Sequence, residues 1–279
     1  MRGVLVAAAI ALVIAAPAFA GPFEDADAAF ARGDTAKALK AFRALAAKDN
    51  TPAQARLGLI YQYGLGVPVD YAAALKWYRL AADKGFGVAQ NNLGFMYENA
   101  LGVAKDYSEA AKWYRRAADL DYAEAQFNLA SLLQDGLGVP QDYPEAIKLY
   151  RLAIAQGSAS AMNNLAGLYQ RGAGVQQDYV EAVRLYRRAA DQGNTFAQNN
   201  LGTMYATGQG IPQDDVQAHM WFSLSVALGN PIGAKNRDKM AATLTPAQLA
   251  ESARLVREWK PGPASVPSIV IGPQKSKTP

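Results

Sequence analysis

The sequence predicts an all-α solenoid of stacked helix-turn-helix units, and three observations carry that expectation. Six helix-like runs begin at Ala53, Ala89, Ala125, Ala161, Ala197 and, in degenerate form, Gly233, each start being the previous number plus 36. The first five read AQARLGLIY, AQNNLGFMY, AQFNLASLL, AMNNLAGLY and AQNNLGTMY. A glycine-bearing loop follows each of these five at a constant offset. Apolar residues recur at helical spacing, without the alternation of a strand. A fixed period in this range marks architectures in which each unit buries its apolar face only against its neighbours.

The chain opens with a segment outside this scheme. Arg2 supplies a positive charge, Val4 to Ala16 is uninterruptedly apolar, and Ala18-Phe19-Ala20 places small residues where a signal peptidase reads. Residues 1–20 are therefore expected to be a signal peptide, with a mature chain starting near Gly21 in the periplasm or outside the cell. The apolar run is short of the roughly 20 residues a transmembrane helix needs. No later run is long enough, so no transmembrane segment is expected after cleavage.

Residues 21–52 read as a shorter capping helix pair with its turn at Arg32-Gly33-Asp34. Its Ala38, Leu39, Phe42 and Leu45 lie 36 before Ala74, Leu75, Tyr78 and Ala81. Five full repeats follow over 53–232, divided as 53–88, 89–124, 125–160, 161–196 and 197–232. Each reads as helix A, glycine loop, helix B and turn. Helix A of the second repeat, about Ala89 to Tyr97, buries Ala89, Leu93, Met96 and Tyr97. Its loop carries a glycine present in every copy: Gly66, Gly102, Gly138, Gly174 and Gly210. A position that is always glycine points to positive φ or close backbone approach, so these five are assigned a structural role.

Helix B opens at the loop's last aspartate. Asp106-Tyr-Ser-Glu109, Asp142-Tyr-Pro-Glu145 and Asp178-Tyr-Val-Glu181 each set an N-cap acid three residues before a glutamate that can reach back to the cap. Gly85, Gly157, Gly193 and Gly229 end helix B as left-handed caps, with Asp121 in that place in the second repeat. The pairs Ala81/Ala82, Ala117/Ala118 and Ala189/Ala190 are small where helices must approach, beside bulky Trp77, Tyr78, Trp113, Tyr114 and Tyr186. Residues 233–260 read as C-terminal capping helices, the last opening at Leu244-Thr245-Pro246. Residues 261–279, rich in Pro, Ser and Lys, read as a disordered tail.

Composition excludes several chemistries. The chain has no cysteine, which removes thiol catalysis, iron–sulfur clusters and cysteine zinc sites. The formal charge of +4, one less once Arg2 is lost, is mild and does not suggest nucleic acid. His219 is the only histidine and falls on an apolar helix B position, where packing is expected. The glycine loops lack the Lys-Ser/Thr of a phosphate cradle and follow no strand. No catalytic residue, metal or cofactor is expected.

The block A-x-x-N-L-G-x-x-Y, then G-x-G-V-x-x-D-Y, then A-x-x-W-Y-R-x-A-A-x-x-G is carried by Ala89 to Gly102 and by Tyr71 to Gly85. It resembles the Sel-one-like repeat family, a branch of the tetratricopeptide superfamily, over about Ala53 to Gly229. The first pair, Ala28 to Lys48, is closer to an ordinary tetratricopeptide unit. The resemblance implies a right-handed α-solenoid with helix A on its concave side. It also implies protein–protein interaction, often as an adaptor or regulator. Some extracytoplasmic members are stapled by disulfides, which this chain lacks.

The expected partner is a protein or peptide held in the concave groove, and the sequence carries no cue to an oligomeric state. Asn92, Asn128, Asn164, Asn200 and Asn236 recur every 36 residues although asparagine is a mediocre helix former. Two readings stand: the amides bond backbone between neighbouring repeats, or they hold an extended peptide. Specificity is expected from positions that vary between copies: Asn91, Phe127, Asn163 and Asn199; Phe95, Ser131, Gly167 and Thr203; Glu98, Gln134, Gln170 and Ala206. Phe95 and Phe127 are either exposed anchors or packed on a neighbouring helix. On helix B, opposite charges at Glu109–Lys112, Glu145–Lys148, Glu181–Arg184, Arg79–Asp83, Arg115–Asp119 and Arg187–Asp191 read as a solvated outer face. The alternatives are a cell-wall or polyanion binder using the basic rows and, from a different class, an envelope hydrolase.

Overall fold

The computed structural model describes residues 21–262. The expected signal peptide and all but the first two residues of the expected tail lie outside the described residues. Those described form fourteen α-helices and no strand. They are α1 (Pro22–Ala31), α2 (Thr35–Ala46), α3 (Thr51–Tyr63), α4 (Tyr71–Ala82), α5 (Gly87–Glu98), α6 (Tyr107–Ala118) and α7 (Ala123–Asp135). The remainder are α8 (Tyr143–Ala155), α9 (Ala159–Arg171), α10 (Tyr179–Asp191), α11 (Thr195–Thr207), α12 (Asp215–Ala227), α13 (Pro231–Ala241) and α14 (Pro246–Glu258).

Two compact units divide the described chain, one of residues 21–125 with 137–139, the other of 126–136 with 140–262. In the first unit each of α1 to α5 packs on the next, and in the second so does each of α8 to α12, while α14 returns to α12. This is the stacking of an α-solenoid, in which burial comes from neighbours in sequence.

Helix A begins two residues before the apolar run that marked it, because a cap precedes the run. The side chains of Asn50, Ser158 and Asn194 accept from Ala53, Ala161 and Ala197 N–H at 2.9, 3.3 and 2.9 Å. Helix B is capped as its sequence requires: Asp70, Asp106, Asp142, Asp178 and Asp214 each accept from the N–H three residues on, at 2.9–3.0 Å. The reciprocal half of the box is not made by Glu109 or Glu181. Glu109 accepts from Trp113 Nε1 at 2.9 Å and pairs with Lys112 at 3.0 Å; Glu181 takes Arg184 through both oxygens at 2.6 Å. A longer helical neighbour with a full charge outcompetes a backbone N–H. The complete capping box occurs at Thr245 and Gln248, opening α14.

The recurring loop glycine meets both conditions its repetition implies. Gly102 has φ +71°, and a Cβ there would sit 2.7 Å from Tyr71 Cβ. Gly138, at φ +67°, has no room either: its Cβ would overlap the backbone of Tyr107 and Ser108. The loop of one repeat thus lies against the first turn of the preceding repeat's helix B. The alanine pairs are buried as expected, and so are the rings of Tyr78, Tyr114, Tyr150 and Tyr186.

A second repeated device was not anticipated. Gln54, Gln90 and Gln198, buried at the start of helix A, donate Nε2 to the carbonyls of Ala46, Ala82 and Ala190 at 3.2, 3.1 and 3.2 Å. These carbonyls lie at the end of the preceding helix B, where each also accepts the turn N–H of Asp49, Gly85 or Gly193, so the glutamine supplies a second bond. Gln126 instead accepts from Gln156 Nε2 at 3.0 Å. The signal was present in the A-Q that opens four of the five runs.

Candidate functional site

The A-helix wall is organised around the buried helix B tyrosines. Each hydroxyl is tied to the residue sixteen before it: Tyr78 to Gln62 at 2.8 Å, Tyr114 to Glu98 at 2.6 Å, Tyr150 to Gln134 at 3.1 Å and Tyr186 to Gln170 at 2.9 Å. Burial raises the pKa of all four, that of Tyr186 to about 12, so they stay protonated and donate. The row Glu98, Gln134, Gln170, Ala206 is therefore half-committed to the fold. In the last repeat, where the ring is Phe222, the partner position is Ala206.

Of the two readings of the asparagines, bonding between repeats is seen, made to side chains rather than to backbone. In the second unit Asn236 Nδ2 donates to Asn199 Oδ1 at 2.8 Å, and Asn200 Nδ2 to Asn163 Oδ1 at 3.0 Å. Asn163 Nδ2 then donates to Asn164 Oδ1 at 3.1 Å, and Asn164 Nδ2 reaches Tyr150 OH at 3.1 Å. A chain of amides thus runs from α11 through α9 to α8. Two planar groups thus hold each other's orientation at these two junctions, while Asn164 turns to a tyrosine hydroxyl. In the first unit Asn92 bonds Tyr78, while Asn91 is buried, with 8% of its surface exposed. Asn128, half-buried, belongs to the second unit and is itself engaged.

The two phenylalanines part company. Phe127 is half-buried with its ring 6.1 Å from that of Tyr150 on α8, so it packs. Phe95 remains 37% exposed on α5.

Four expected residues converge. Gln134, Asn163, Asn164 and Asn200 line a polar concavity of about 100 Å³ in the second unit, with Gly167, Arg171 and Tyr186. Gln170 borders it through Tyr186, and Asn199 lies one hydrogen bond away at Asn236. Sequence reading passed over Arg171, because its place in the other copies is held by Tyr63, Asn99, Asp135 and Thr207 and so shows no pattern. A wider depression of about 360 Å³ beside Asp214 and Gln248 is open, and Asp214 there is occupied in capping α12.

On helix B the pairs three residues apart form: Glu109–Lys112 at 3.0 Å, Glu145–Lys148 at 3.7 Å and Glu181–Arg184 at 2.6 Å. Arg79 and Arg187 turn elsewhere than to the aspartates four residues on. Arg79 donates to Tyr97 OH at 2.8 Å and lies over Trp113, and Arg187 donates to Tyr205 OH. Arg43 and Arg151 make the same bond to Tyr61 and Tyr169, at 2.7 and 3.2 Å. These four arginines therefore link α2, α4, α8 and α10 each to the following helix A.

His219 is half-buried with Nδ1 2.8 Å from Ser252 Oγ, and burial lowers its pKa. A histidine beside a serine invites a hydrolytic reading. Ser252, however, has 0% of its surface exposed, so no carbonyl carbon can reach its oxygen. The pair fastens α14 to α12, as does the edge-on contact of Trp259 with Trp221 at 6.4 Å. Among the described residues no cluster of three or more metal-ligating side chains occurs, and no helix is long and apolar enough to cross a membrane.

Stacked helix pairs with a polar concavity on one wall define a helical-repeat scaffold. The Sel1 repeat matches residues 51–86, 87–122, 123–158, 159–194 and 195–230, and the chain belongs to that family. Among solved structures it is similar to c5321, described as a protective antigen of uropathogenic Escherichia coli displaying an SLR fold. That protein is 32% identical with a TM-score of 0.81, over 88% of this chain and 54% of its own. This chain thus spans about half the length of c5321. It is similar also to a Sel1 repeat protein of Oxalobacter formigenes, 32% identical with a TM-score of 0.73, over 85% of this chain and 100% of that one. The immunity protein Pa5087 of Pseudomonas aeruginosa, 20% identical with a TM-score of 0.52 over 77% and 85%, shares the fold. No curated protein matches significantly. Sel1 repeat proteins generally mediate protein–protein interaction, and the scaffold is typically non-catalytic.

Proposed function

We propose that this protein is an extracytoplasmic adaptor or regulator that holds a protein or peptide on the wall formed by its A helices. The concavity lined by Gln134, Asn163, Asn164 and Asn200 carries the reading. Side-chain amides present donors and acceptors together, which suits the alternating N–H and C=O of an extended peptide backbone. In the first unit, taken by itself, Phe95 is exposed on helix A and is the apolar anchor there, aromatic side chains being enriched at binding hot spots. The signal-like segment at 1–20 supports the periplasmic or secreted location.

The test is crosslinking in the protein's own compartment, identification of what is attached, and capture of it by two double variants shown to be folded. Phe95→Ala with Asn163→Ala is expected to weaken capture by more than about 1 kcal/mol. Lys112→Ala with Lys148→Ala is expected to leave it unchanged at fixed salt. Loss of the partner by the lysine variant alone overturns the A-wall reading in favour of the outer face.

A further inference from the structure

Within the second unit the chain doubles back along the stack after its last helix. α14 stops at Glu258, and Trp259 leaves it in extended backbone with its ring edge-on to Trp221 of α12 at 6.4 Å. Three residues on, Gly262 N–H donates at 2.7 Å to the carbonyl of Asp191, the last residue of α10. The chain thus passes from α14 over α12 to the end of the preceding helix B. It arrives beside an apolar edge.

Phe196, Leu228 and Ile232 lie along that edge. Phe196 is the second residue of α11 and Ile232 the second of α13, 36 residues apart and so in the same register. Leu228 is the C-cap of α12. The turn that carries it is held against the start of α11, because the carbonyl of Thr195 accepts from Asn230 Nδ2 at 3.2 Å and from Ser225 Oγ at 2.7 Å. The described residues leave all three side chains 48–57% exposed. Earlier in the second unit the same places are polar: Ser160 corresponds to Phe196, and Gln156 and Gln192 to Leu228. Apolar surface gathered at one edge favours an apolar cover, since burying it releases the water ordered around it.

The chain carries such a cover within reach. Beyond Gly262 its sequence has one run of three consecutive apolar side chains, Ile269-Val270-Ile271, between Ser268 and Gly272. Seven residues separate Gly262 from Ile269 and span up to about 23 Å. Phe196 is five residues from Asp191 and so at most about 18 Å away. The turn between them is tight, with Asn194 N–H returning to the carbonyl of Ala189 at 3.0 Å, so the true separation is shorter. A short tether also holds the run near the edge at an effective concentration on the order of millimolar, an advantage over any separate chain. We propose that Ile269-Val270-Ile271 seats on the edge formed by Phe196, Leu228 and Ile232 of the same chain and closes it. This intramolecular contact does not depend on the A-wall reading above.

The chain has no cysteine, so Lys235→Cys, exposed one turn beyond Ile232 on α13, takes a single nitroxide label. NMR of the purified isotope-labelled chain then compares the methyl signals of Ile269, Val270, Ile271 and Thr278 with the label oxidised and reduced. The first three are expected to lose intensity severalfold under the oxidised label, and Thr278 much less. In Phe196→Ser with Ile232→Ser that loss is expected to disappear; Ser160 already occupies this place, so the fold tolerates the change. Ile269→Ser with Ile271→Ser touches none of the helices and is expected to return Val270 to full intensity. Undiminished signals, or a loss that survives both double variants, belong to an unseated tether and overturn the proposal. An equal loss when spin-labelled chains are mixed with isotope-labelled, unmodified ones gives the edge to the tail of a second copy and overturns it as well.

Discussion

The two units share one frame and carry different walls. At one helix A position that differs between copies, the first unit has Leu59 and Phe95, and the second has Ser131, Gly167 and Thr203. One turn on, the first unit has Tyr63 and Asn99, and the second has Asp135, Arg171 and Thr207. The first wall is thus mostly apolar and aromatic, with Tyr63 50% exposed beside a single Asn99, while the second is polar and charged. Yet the capping aspartates, loop glycines and tyrosine braces are the same in both. Residues that make contacts between repeats are held to one chemistry, whereas residues that face solvent are free to differ. In a solenoid the second class is where binding is written.

The largest test of the common frame is at the loop glycines. Gly138→Val in the first unit and Gly174→Val in the second each combine positive φ with a Cβ that overlaps a tyrosine at the start of helix B. Both are expected to destabilise by about 2 kcal/mol or more, read as a fall in Tm or denaturant midpoint. An unchanged midpoint in either unit breaks the equivalence.

A smaller effect is expected at the tyrosine brace. Tyr186→Phe leaves Gln170 without its donor and should cost about 1 kcal/mol. Adding Gln170→Ala should recover part of that, since the last repeat already pairs Phe222 with Ala206. A double-mutant cycle with no coupling would show that the hydroxyl bond is incidental.

The amide ladder comes next. Asn200→Ala removes the bond to Asn163 in the second unit and is expected to cost about 0.5–1 kcal/mol in chemical denaturation, water taking the place of the lost partner at this half-buried site. A loss as large as that of the glycine variants would make the ladder part of the essential frame. The smallest effect belongs to the outer face. Lys112→Ala and Lys148→Ala, one in each unit, remove exposed pairs and should each change stability by only a few tenths of a kcal/mol.

Most of the frame was legible because it repeats. The loop glycines, aspartate caps and alanine pairs needed no knowledge of what lay opposite. A reading by period also has a blind side, since it sees what recurs. Arg171 occurs once, so nothing in the spacing singled it out; Gly167 stood in a row noticed as variable, but that its missing side chain leaves room beside Arg171 shows only in the structure. Glu98, Gln134 and Gln170 were noticed as variable, but their tie to a buried tyrosine sixteen residues on is visible only when helix A meets helix B. Phe95 and Phe127 look alike in the sequence, and only packing against Tyr150 separates them.

The sequence by itself determined the helical repeat, its period, its caps and its family, because these follow from backbone sterics and from local hydrogen bonds within a turn or two. Tertiary structure alone decided which polar side chains are spent on the stack and which remain free. That choice depends on which groups of neighbouring repeats come within about 3 Å of each other, a distance that spacing along the chain does not encode.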